Sequence, residues 1–249
     1  MSAPRDGGER GRADLHLHSL YSDGTETVTA ILDWIEHHTV LDLVAITDHE
    51  RIDGALRARE IHAAGDYHFE LVVGEEITTR RGHLLGLFLT ERIPALRPVE
   101  ETAARIHAQG GLAIAAHPMA PLTPSLGRRS LISLHTDPRP EHRLDAIEIF
   151  NPTEAGRTRR AALHALNANT LALPAVGNSD AHVLWGIGTA WTWFEGISAA
   201  DYRASLASGS VTAAGKDWPR SRNAGVYARQ LVAKTRHLGH TLRPRGEWR

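Results

Sequence analysis

The segment DLHLHSLYSDG, residues 14–24, contains the pattern that decides the fold. Its alternating start predicts a β-strand, and His16 and His18, one residue apart on that strand, point to the same face. The SDG turn that follows would bring Asp23 back over the same edge. Two imidazoles and a carboxylate gathered at the end of a strand indicate a site for a divalent metal ion.

The same arrangement of acidic and histidine residues at the end of a strand recurs along the chain. Further apolar, β-like runs end at TDH (47–49), GEE (74–76), GH (82–83), AHP (116–118) and NSDAH (178–182). In a barrel of βα units the strand ends that carry function share one rim. We therefore expect nine side chains to converge there as ligands of a multinuclear metal centre. The nine candidates are His16, His18, Asp23, His49, Glu76, His83, His117, Asp180 and His182.

At two places in the chain, two adjacent residues could each be the ligand, and we choose one of each pair. At residues 48–49 we take His49 as the ligand, with Asp48 either orienting it or capping a helix. Adjacent residues on a strand face opposite ways, so only one glutamate of residues 75–76 points inward. We choose Glu76 and expect Glu75 to be a surface charge. The remaining ten histidines lie in helical or loop contexts and are interpreted as structural or exposed.

Short apolar runs alternate with helical patterns, and this alternation is typical of parallel βα units. Strands are predicted at 13–18, 41–47, 71–76, 83–89, 112–116, 146–150 and 171–176. Helices are predicted after Thr25 as N-cap, at 100–107, at 158–167 and from a capping box at Ser198. The pattern predicts an α/β fold, a distorted, TIM-like (β/α)7 barrel with the metal site at the C-terminal ends of its strands.

The domain prediction has three parts. Residues 13–215 form the barrel, and residues 1–12 are interpreted as a disordered leader without the apolar stretch of a signal peptide. Residues 216–249 are interpreted as a basic tail with a helix at 227–238; from Trp218 onward they carry eight Arg or Lys and one acid, Glu247.

Composition excludes several classes of function. The chain of 249 residues has no cysteine, so disulfides, thiolate metal sites and cysteine nucleophiles are absent. The net charge of −1 does not indicate a nucleic-acid or membrane partner, although nucleic acid is not excluded. Apolar runs are too short to span a bilayer, and the cytoplasm is the expected compartment. The oligomeric state cannot be read from the sequence.

The motifs HxHxxxxSDG, TDH, GxE, H, AHP and SDAH, in this order, resemble the polymerase and histidinol phosphatase (PHP) family over about residues 13–215. The resemblance implies three divalent ions, of Mn, Fe or Zn. The implied ligand sets are His16, His18, Glu76 and Asp180 for one ion, Asp23, His49 and His182 for a second, and Glu76, His83 and His117 for a third. Only 33 residues separate His83 from His117, so the chain resembles a short form without an inserted lid domain.

The expected reaction is hydrolysis of a small phosphomonoester or nucleotide by metal-activated hydroxide. Asp23 or a flanking histidine, His49 or His182, would protonate the leaving oxygen. Arg157 and Arg128 are the candidate phosphate contacts, because a guanidinium binds phosphate through two hydrogen bonds.

Three other functions compete with this one. A binuclear amidohydrolase that bridges its ions with a carboxylated lysine is excluded, since no lysine precedes Lys216. A carbamate or carboxylic ester hydrolase on the same trinuclear scaffold remains open. So does a non-catalytic PHP module associated with nucleic acid through its basic tail.

Overall fold

The computed structural model describes residues 10–121 and 123–219. The strands are β1 (Arg10–Leu17), β2 (Leu43–Ile46), β3 (Glu70–Thr79), β4 (Gly82–Leu87), β5 (Leu112–Ala115), β6 (Ala146–Phe150), β7 (Ala175–Gly177), β8 (Ala190–Glu195) and β9 (Thr212–Gly215). The helices are α1 (Val28–His38), α2 (Asp53–Ala64), α3 (Val99–Ala108), α4 (Arg128–His135), α5 (Glu154–Thr158), α6 (Arg160–Leu166) and α7 (Ala199–Ser208).

All strands belong to one sheet in the order β7-β6-β5-β4-β3-β2-β1-β8-β9. Strands β1, β2 and β3 pair in parallel, as do β5, β6 and β7. The sheet curls until β7 approaches β8, where Thr192 Oγ1 lies 3.0 Å from both the amide nitrogen and the carbonyl oxygen of Gly177. A Cβ at residue 177 would lie only 2.7 Å from the carbonyl oxygen of Trp191, so glycine permits this approach. The barrel-like α/β fold predicted from the sequence is confirmed.

The expectation of uniformly parallel βα units was wrong at β4. Only a two-residue turn separates β3 from β4, so the two strands form an antiparallel hairpin, and β4 also pairs antiparallel with β5. Strands β8 and β9 were not predicted and add two further antiparallel pairings beside β1. Because β4 is reversed, its first residues lie at the rim where β3 ends, and this rim receives His83.

The barrel interior is filled by apolar side chains from β1 to β8. Tyr202 and Leu206 of α7 join this cluster, and the Tyr202 ring packs edge-on against Phe194 at 5.5 Å. Arg203 donates to the carbonyl oxygen of Gly110, just before β5, and Glu70 at the start of β3 accepts from Ala199. Helix α7 therefore closes the N-terminal end of the barrel, opposite the rim that the sequence assigned to function.

A change of face within β1 brings two histidines into the barrel mouth. Ala13 and Leu15 belong to the interior cluster, whereas Leu17 packs with the outer helices. The β1–β2 register shifts between Asp14 and Leu17, as at a β-bulge. Because of this shift, the side chains of His16 and His18 point into the barrel mouth, on the same side as Leu15.

The helix predictions need three corrections. Helix α1 buries Val28, Ile31, Leu32 and Ile35 as predicted, but its N-cap is Thr27, which accepts from the Ala30 amide at 3.2 Å. The predicted helix 158–167 is divided into α5 and α6, and α2 and α4 were not predicted. The capping box of Ser198 and Asp201 is present as expected.

The predicted strand 171–176 was wrong in its first half. Residues Asn167–Leu171 form a π-helical turn, Ala172 is left-handed, and β7 starts only at residue 175. The side-chain amide of Asn167 donates from Nδ2 to the carbonyl oxygen of Leu173 and accepts at Oδ1 from the backbone amide of Leu173. These two hydrogen bonds stabilise the turn over an extended chain.

The domain boundaries lie partly outside the described residues. Strand β1 begins at Arg10, so residues 10–12 of the expected leader pair with β8. The rest of that leader and the predicted helix 227–238 fall outside the residues that the structure describes. No helix among residues 10–121 and 123–219 has the length and apolar character needed to cross a bilayer.

Candidate metal centre

All nine candidate ligands lie together at the rim opposite α7. The residues after β7 pair with the end of β1, where the His18 amide donates to the carbonyl oxygen of Ala181 at 2.9 Å. An isolated bridge likewise joins His49 to Glu76 in β3. Segments that are far apart in sequence are therefore fixed against each other by backbone hydrogen bonds. Four overlapping groups of potential ligand atoms, each within 4.8 Å, contain all nine residues.

The first implied ligand set is brought together around one carboxylate oxygen. Glu76 Oε2 lies 3.1 Å from His16 Nε2 and 3.2 Å from His18 Nε2. Asp180 Oδ1 faces the same two nitrogens at 3.5 and 3.4 Å. The two imidazoles and two carboxylates thus converge on a single point.

The second implied set surrounds Asp23. Its Oδ1 atom lies 3.0 Å from His182 Nε2 and 3.7 Å from His49 Nε2. His18 also belongs to this group, because its Nδ1 atom is 3.7 Å from the same oxygen and its ring stacks on that of His182 at 4.0 Å. His18 therefore stands between the first and second sets.

The third implied set uses the other oxygen of Glu76. Oε1 lies 2.7 Å from His83 Nδ1 and 2.9 Å from His117 Nε2. The two oxygens of one buried carboxylate consequently face separate groups of histidines. This is the geometry that a carboxylate bridging two ions requires.

Two ligand candidates have left-handed backbones, with φ of 29° at His117 and 51° at Asp180. Non-glycine residues rarely adopt this region, and such strain is concentrated at functional sites. The surrounding fold holds these two residues in this conformation.

Glu148, a buried residue in the middle of β6, is absent from the site residues predicted from the sequence. Its Oε1 atom accepts from His16 Nδ1 and from Asn178 Nδ2, both at 3.0 Å. Its Oε2 atom accepts from the His117 amide at 2.7 Å and from Asn151 Nδ2 at 3.1 Å. When an ion occupies Nε2, the Glu148 carboxylate would keep the His16 proton on Nδ1. An acidic residue inside the apolar strand β6 is the signal that could have indicated this role.

Both interpretations of Asp48 were wrong. It is fully buried and accepts from the Ser19 amide at 2.8 Å and from the hydroxyls of Ser19 and Ser22, each at 2.6 Å. Helix α2 has Ile52 at its N-cap position, without a side-chain cap. Asp48 therefore fixes the loop that carries Asp23 and neither caps the helix nor orients His49.

Glu75 is not a surface charge. Its side chain is fully buried and accepts from the Ile93 amide at 2.8 Å, and burial raises its pKa to about 7. The loop after β4 covers it, a tertiary contact that the alternation along β3 could not reveal.

The chemistry of the site fits divalent cations. Within the described residues, both ring nitrogens of His18 and Nε2 of His182 are buried without a well-aligned hydrogen bond. Every ion pair of Glu76 and Asp180 in that part of the chain is with a histidine. Buried carboxylates without Arg or Lys need another source of positive charge. The nitrogen and oxygen donors present suit Zn, Mn or Fe.

The pKa values show how strongly the site attracts positive charge. Burial lowers the pKa of His18, but Asp180, Glu76 and Asp23 raise it to about 10. Burial also opposes ionisation of Glu76, yet the surrounding imidazoles bring its pKa well below the usual range. His49 differs, because burial lowers its pKa to about 3.

The two candidate phosphate contacts lie outside the nine-residue cluster. Arg157, in α5, pairs with Glu154 at 2.7 Å, and Arg128 is exposed at the first position of α4. The other histidines of the described chain belong to none of the four ligand groups. His237 and His240 fall outside the described residues.

Comparison with known proteins indicates the family of the chain. Residues 163–211 match the model of the PHP-associated family, PHP_C. An uncharacterised protein of Methanocaldococcus jannaschii is 37% identical over 151 residues, which are 56% of this chain and 81% of that protein. The phosphoribosyl 1,2-cyclic phosphate 1,2-diphosphodiesterase of Eggerthella lenta is 33% identical over 102 residues, 38% of each chain.

Solved structures show the same fold. A two-domain protein from Bacteroides vulgatus, containing a predicted PHP-like metal-dependent phosphoesterase, superposes with a TM-score of 0.66 at 20% identity, covering 90% of this chain and 71% of that one. The lesion-specific endonuclease EndoQ from Pyrococcus furiosus gives a TM-score of 0.61 at 21% identity, covering 84% and 60%. On the motifs, the family-model match and the M. jannaschii relative, the chain belongs to the PHP family.

Proposed function

We propose that this protein is a phosphoesterase that uses three divalent ions, of Mn, Fe or Zn, to hydrolyse a small phosphomonoester or a nucleotide. The observation that supports this most directly is that the two carboxylate oxygens of Glu76 face different pairs of histidines. One oxygen faces His16 and His18, and the other faces His83 and His117. Ions held in this way would lower the pKa of a bound water and neutralise the oxygens of a phosphate.

Neighbouring groups of the chain would orient the histidines that bind these ions. The Nδ1 atom of His182 lies 3.0 Å from the carbonyl oxygen of Asp180. A carbonyl only accepts, so Nδ1 carries the proton and Nε2 is left as the ligand atom beside Asp23. His16 is fixed in the same sense by Glu148.

His49 marks the side of the cluster from which a substrate would approach. Its side chain is 20% exposed, whereas those of His16 and His18 are fully buried. We propose that Asp23, His49 and His182 lie nearest the reacting phosphate, and that one of them protonates the leaving oxygen.

Two arginines near the rim already have acidic partners within the described part of the chain. Arg157 pairs with Glu154, and Arg160 pairs with Asp217 at 2.5 Å. Arg157 and Arg128 remain our proposed phosphate contacts, and Arg157 would have to exchange Glu154 for the substrate. Arg157→Ala should then raise KM for phosphoesters; unchanged KM and kcat for all of them would contradict this role.

The decisive experiment measures metal content and activity together. Protein reconstituted with Mn, Fe or Zn is assayed on p-nitrophenyl phosphate, bis-p-nitrophenyl phosphate, p-nitrophenyl acetate, nucleotides and an oligonucleotide, with His16→Ala as the blank. About three metal equivalents and phosphatase activity that His16→Ala lacks would support the proposal. Activity on the acetate alone would favour a carboxylic ester hydrolase, and one equivalent or none would favour a non-catalytic module.

The E. lenta and P. furiosus relatives are named for cleavage of phosphodiesters. Only β4, α3 and β5 occupy the chain between His83 and His117, so an inserted lid does not cover the rim there. A diester substrate, including nucleic acid, is therefore the second candidate. Hydrolysis of bis-p-nitrophenyl phosphate in preference to the monoester would select it.

A further inference from the structure

The chain just after β9 is fastened to two loops at the metal-site rim. Trp218 is 3% exposed, and its amide donates to the carbonyl oxygen of Pro152 at 3.1 Å, in the loop after β6. Its indole Nε1 donates to Thr189 Oγ1 at 2.7 Å, in the segment that follows His182. The Trp218 ring also packs 5.0 Å from Trp185. This contact connects the end of the barrel to the segments that flank the ligands.

Asp217 reaches the same loop through an arginine. Its carboxylate lies 2.5 Å from Nη2 of Arg160, which in turn donates to the carbonyl oxygen of Asn151 at 2.7 Å. The Arg160 guanidinium lies 3.9 Å from the centre of the Phe150 ring. The backbone of Asn151 is thereby held from the outer side.

The side chain of Asn151 faces the metal site. Its Oδ1 atom accepts from the hydroxyl of Thr153 at 2.6 Å and from the Thr153 amide at 3.1 Å. The amide group is therefore turned so that Nδ2 donates to Glu148 Oε2 at 3.1 Å and to Asp180 Oδ2 at 3.2 Å. One NH₂ group thus orients the carboxylate that positions His16 and a carboxylate of the ligand cluster itself.

Gly156 makes room for this arrangement. A Cβ at residue 156 would lie 2.5 Å from Cβ of Asn151 and 2.7 Å from its Oδ1. The start of α5 can therefore close over the buried amide, which is 2% exposed.

We propose that Asn151 is a positioning residue of the metal centre, and that Asp217 and Trp218 form a C-terminal clamp that supports it from outside the barrel. The inference rests on the proposed metal-binding function of the nine-residue cluster. It assigns a role to Asp217 and Trp218, which follow the last strand. Neither the sequence motifs nor the geometry of the ligands assigns a role to these two residues.

The test uses the full chain with the substitutions Asn151→Ala, Asn151→Asp, Arg160→Gln, Asp217→Ala and Trp218→Phe. Arg159→Gln is the matched control, because Arg159 is exposed and adjacent to Arg160. Metal affinity is measured by competition with a chelator, using Mn²⁺ and Zn²⁺ alone, and thermal unfolding is recorded with and without metal.

Asn151→Ala should weaken binding of one ion about tenfold, the lower end for residues that orient metal ligands. Asn151→Asp should weaken it further, since a third carboxylate would face Glu148 and Asp180. Arg160→Gln and Asp217→Ala should each weaken binding in the same direction, and the double variant should equal Arg160→Gln alone because both act through one contact. Trp218→Phe should lower affinity while keeping most of the packing, and Arg159→Gln should match the unsubstituted chain.

The inference is overturned if the Asn151 variants keep the parent affinity, or if Asn151→Ala lowers Tm equally with and without metal. Additive effects of Arg160→Gln and Asp217→Ala would overturn the clamp. Failure of the proposed function is recognised separately on the unsubstituted chain, which would then bind no metal or bind it without hydrolysing phosphoesters.

Discussion

Glu148 accepts a hydrogen bond from Nδ1 of His16 at 3.0 Å, with both side chains fully buried. All four acceptor positions of the carboxylate are used, since Asn178, Asn151 and the His117 amide donate to it as well. A carboxylate satisfied in this way sets the orientation of an imidazole and lowers the freedom of the strand ends around it.

The first prediction concerns Glu148→Gln. The NH₂ group of the glutamine would face two groups that now donate to one oxygen of Glu148. Because donors cannot bond to each other, these hydrogen bonds are lost and His16 loses its fixed orientation. We expect metal affinity to fall about 10–100-fold. Chelator competition measures this, with exposed Glu91→Gln as control. A parent-like affinity in Glu148→Gln would show that His16 does not need this partner.

The second prediction concerns Asp48, whose carboxylate accepts from the Ser19 amide and from the hydroxyls of Ser19 and Ser22. Asp48→Ala should lower the free energy of unfolding by about 3 kcal/mol, because buried donors lose a charged acceptor. It should also deplete metal bound near Asp23. Urea unfolding and metal analysis check both effects, with the exposed Asp53→Asn as control. A loss of stability without metal loss would mean that the loop around Asp23 keeps its shape without Asp48.

The strand-end pattern predicted the convergence of the nine side chains because it depends on local alternation and on where each run stops. The common face of His16 and His18 follows from their spacing of two residues. The register shift that turns both inward after Leu15 does not follow from alternation, and alternation alone did not select Glu76 over Glu75. The partners of Asp48 and the burial of Glu75 depend on loops that return from elsewhere in the chain. Such contacts have no local sequence signal.

The reversal of β4 and the addition of β8 and β9 were missed for a related reason. An apolar run such as Leu84–Leu87 looks the same whether its neighbours are parallel or antiparallel, and only the two-residue connection from Thr79 to Gly82 distinguishes them. Strand β8 contains Trp191 and Trp193, which alternate with buried residues as a strand should. This period of two is present in the sequence.

The third prediction is a pH dependence of stability. The hydrogen bond to Asp145 at 2.8 Å raises the pKa of His107, burial opposes this, and the Glu141 carbonyl oxygen adds to it. A histidine with a raised pKa in the folded state stabilises fully below its ordinary pKa, and this contribution is lost as pH rises through the folded value. His107→Gln should therefore cost about 1 kcal/mol near pH 6 and less as pH rises further.

Urea unfolding of His107→Gln and the parent from pH 5.5 to 9 measures the difference between the two curves. Exposed His164→Gln serves as the matched control. Parallel curves for His107→Gln would show that the His107–Asp145 pair carries no charge.

The fourth prediction uses backbone strain far from the metal ligands. Ala172 ends the π-helical turn with φ 48° and ψ 33°, a left-handed conformation that an L-residue with a Cβ adopts at a cost of about 1–2 kcal/mol. Glycine removes this strain but has more freedom in the unfolded chain, so Ala172→Gly should stabilise by a net of about 0.5–1 kcal/mol. The matched substitution Ala165→Gly, on the exposed side of α6, should instead destabilise by about 0.5–1 kcal/mol. Chemical unfolding of both variants with the parent tests the opposite signs, and destabilisation in both would mean that Ala172 is not strained.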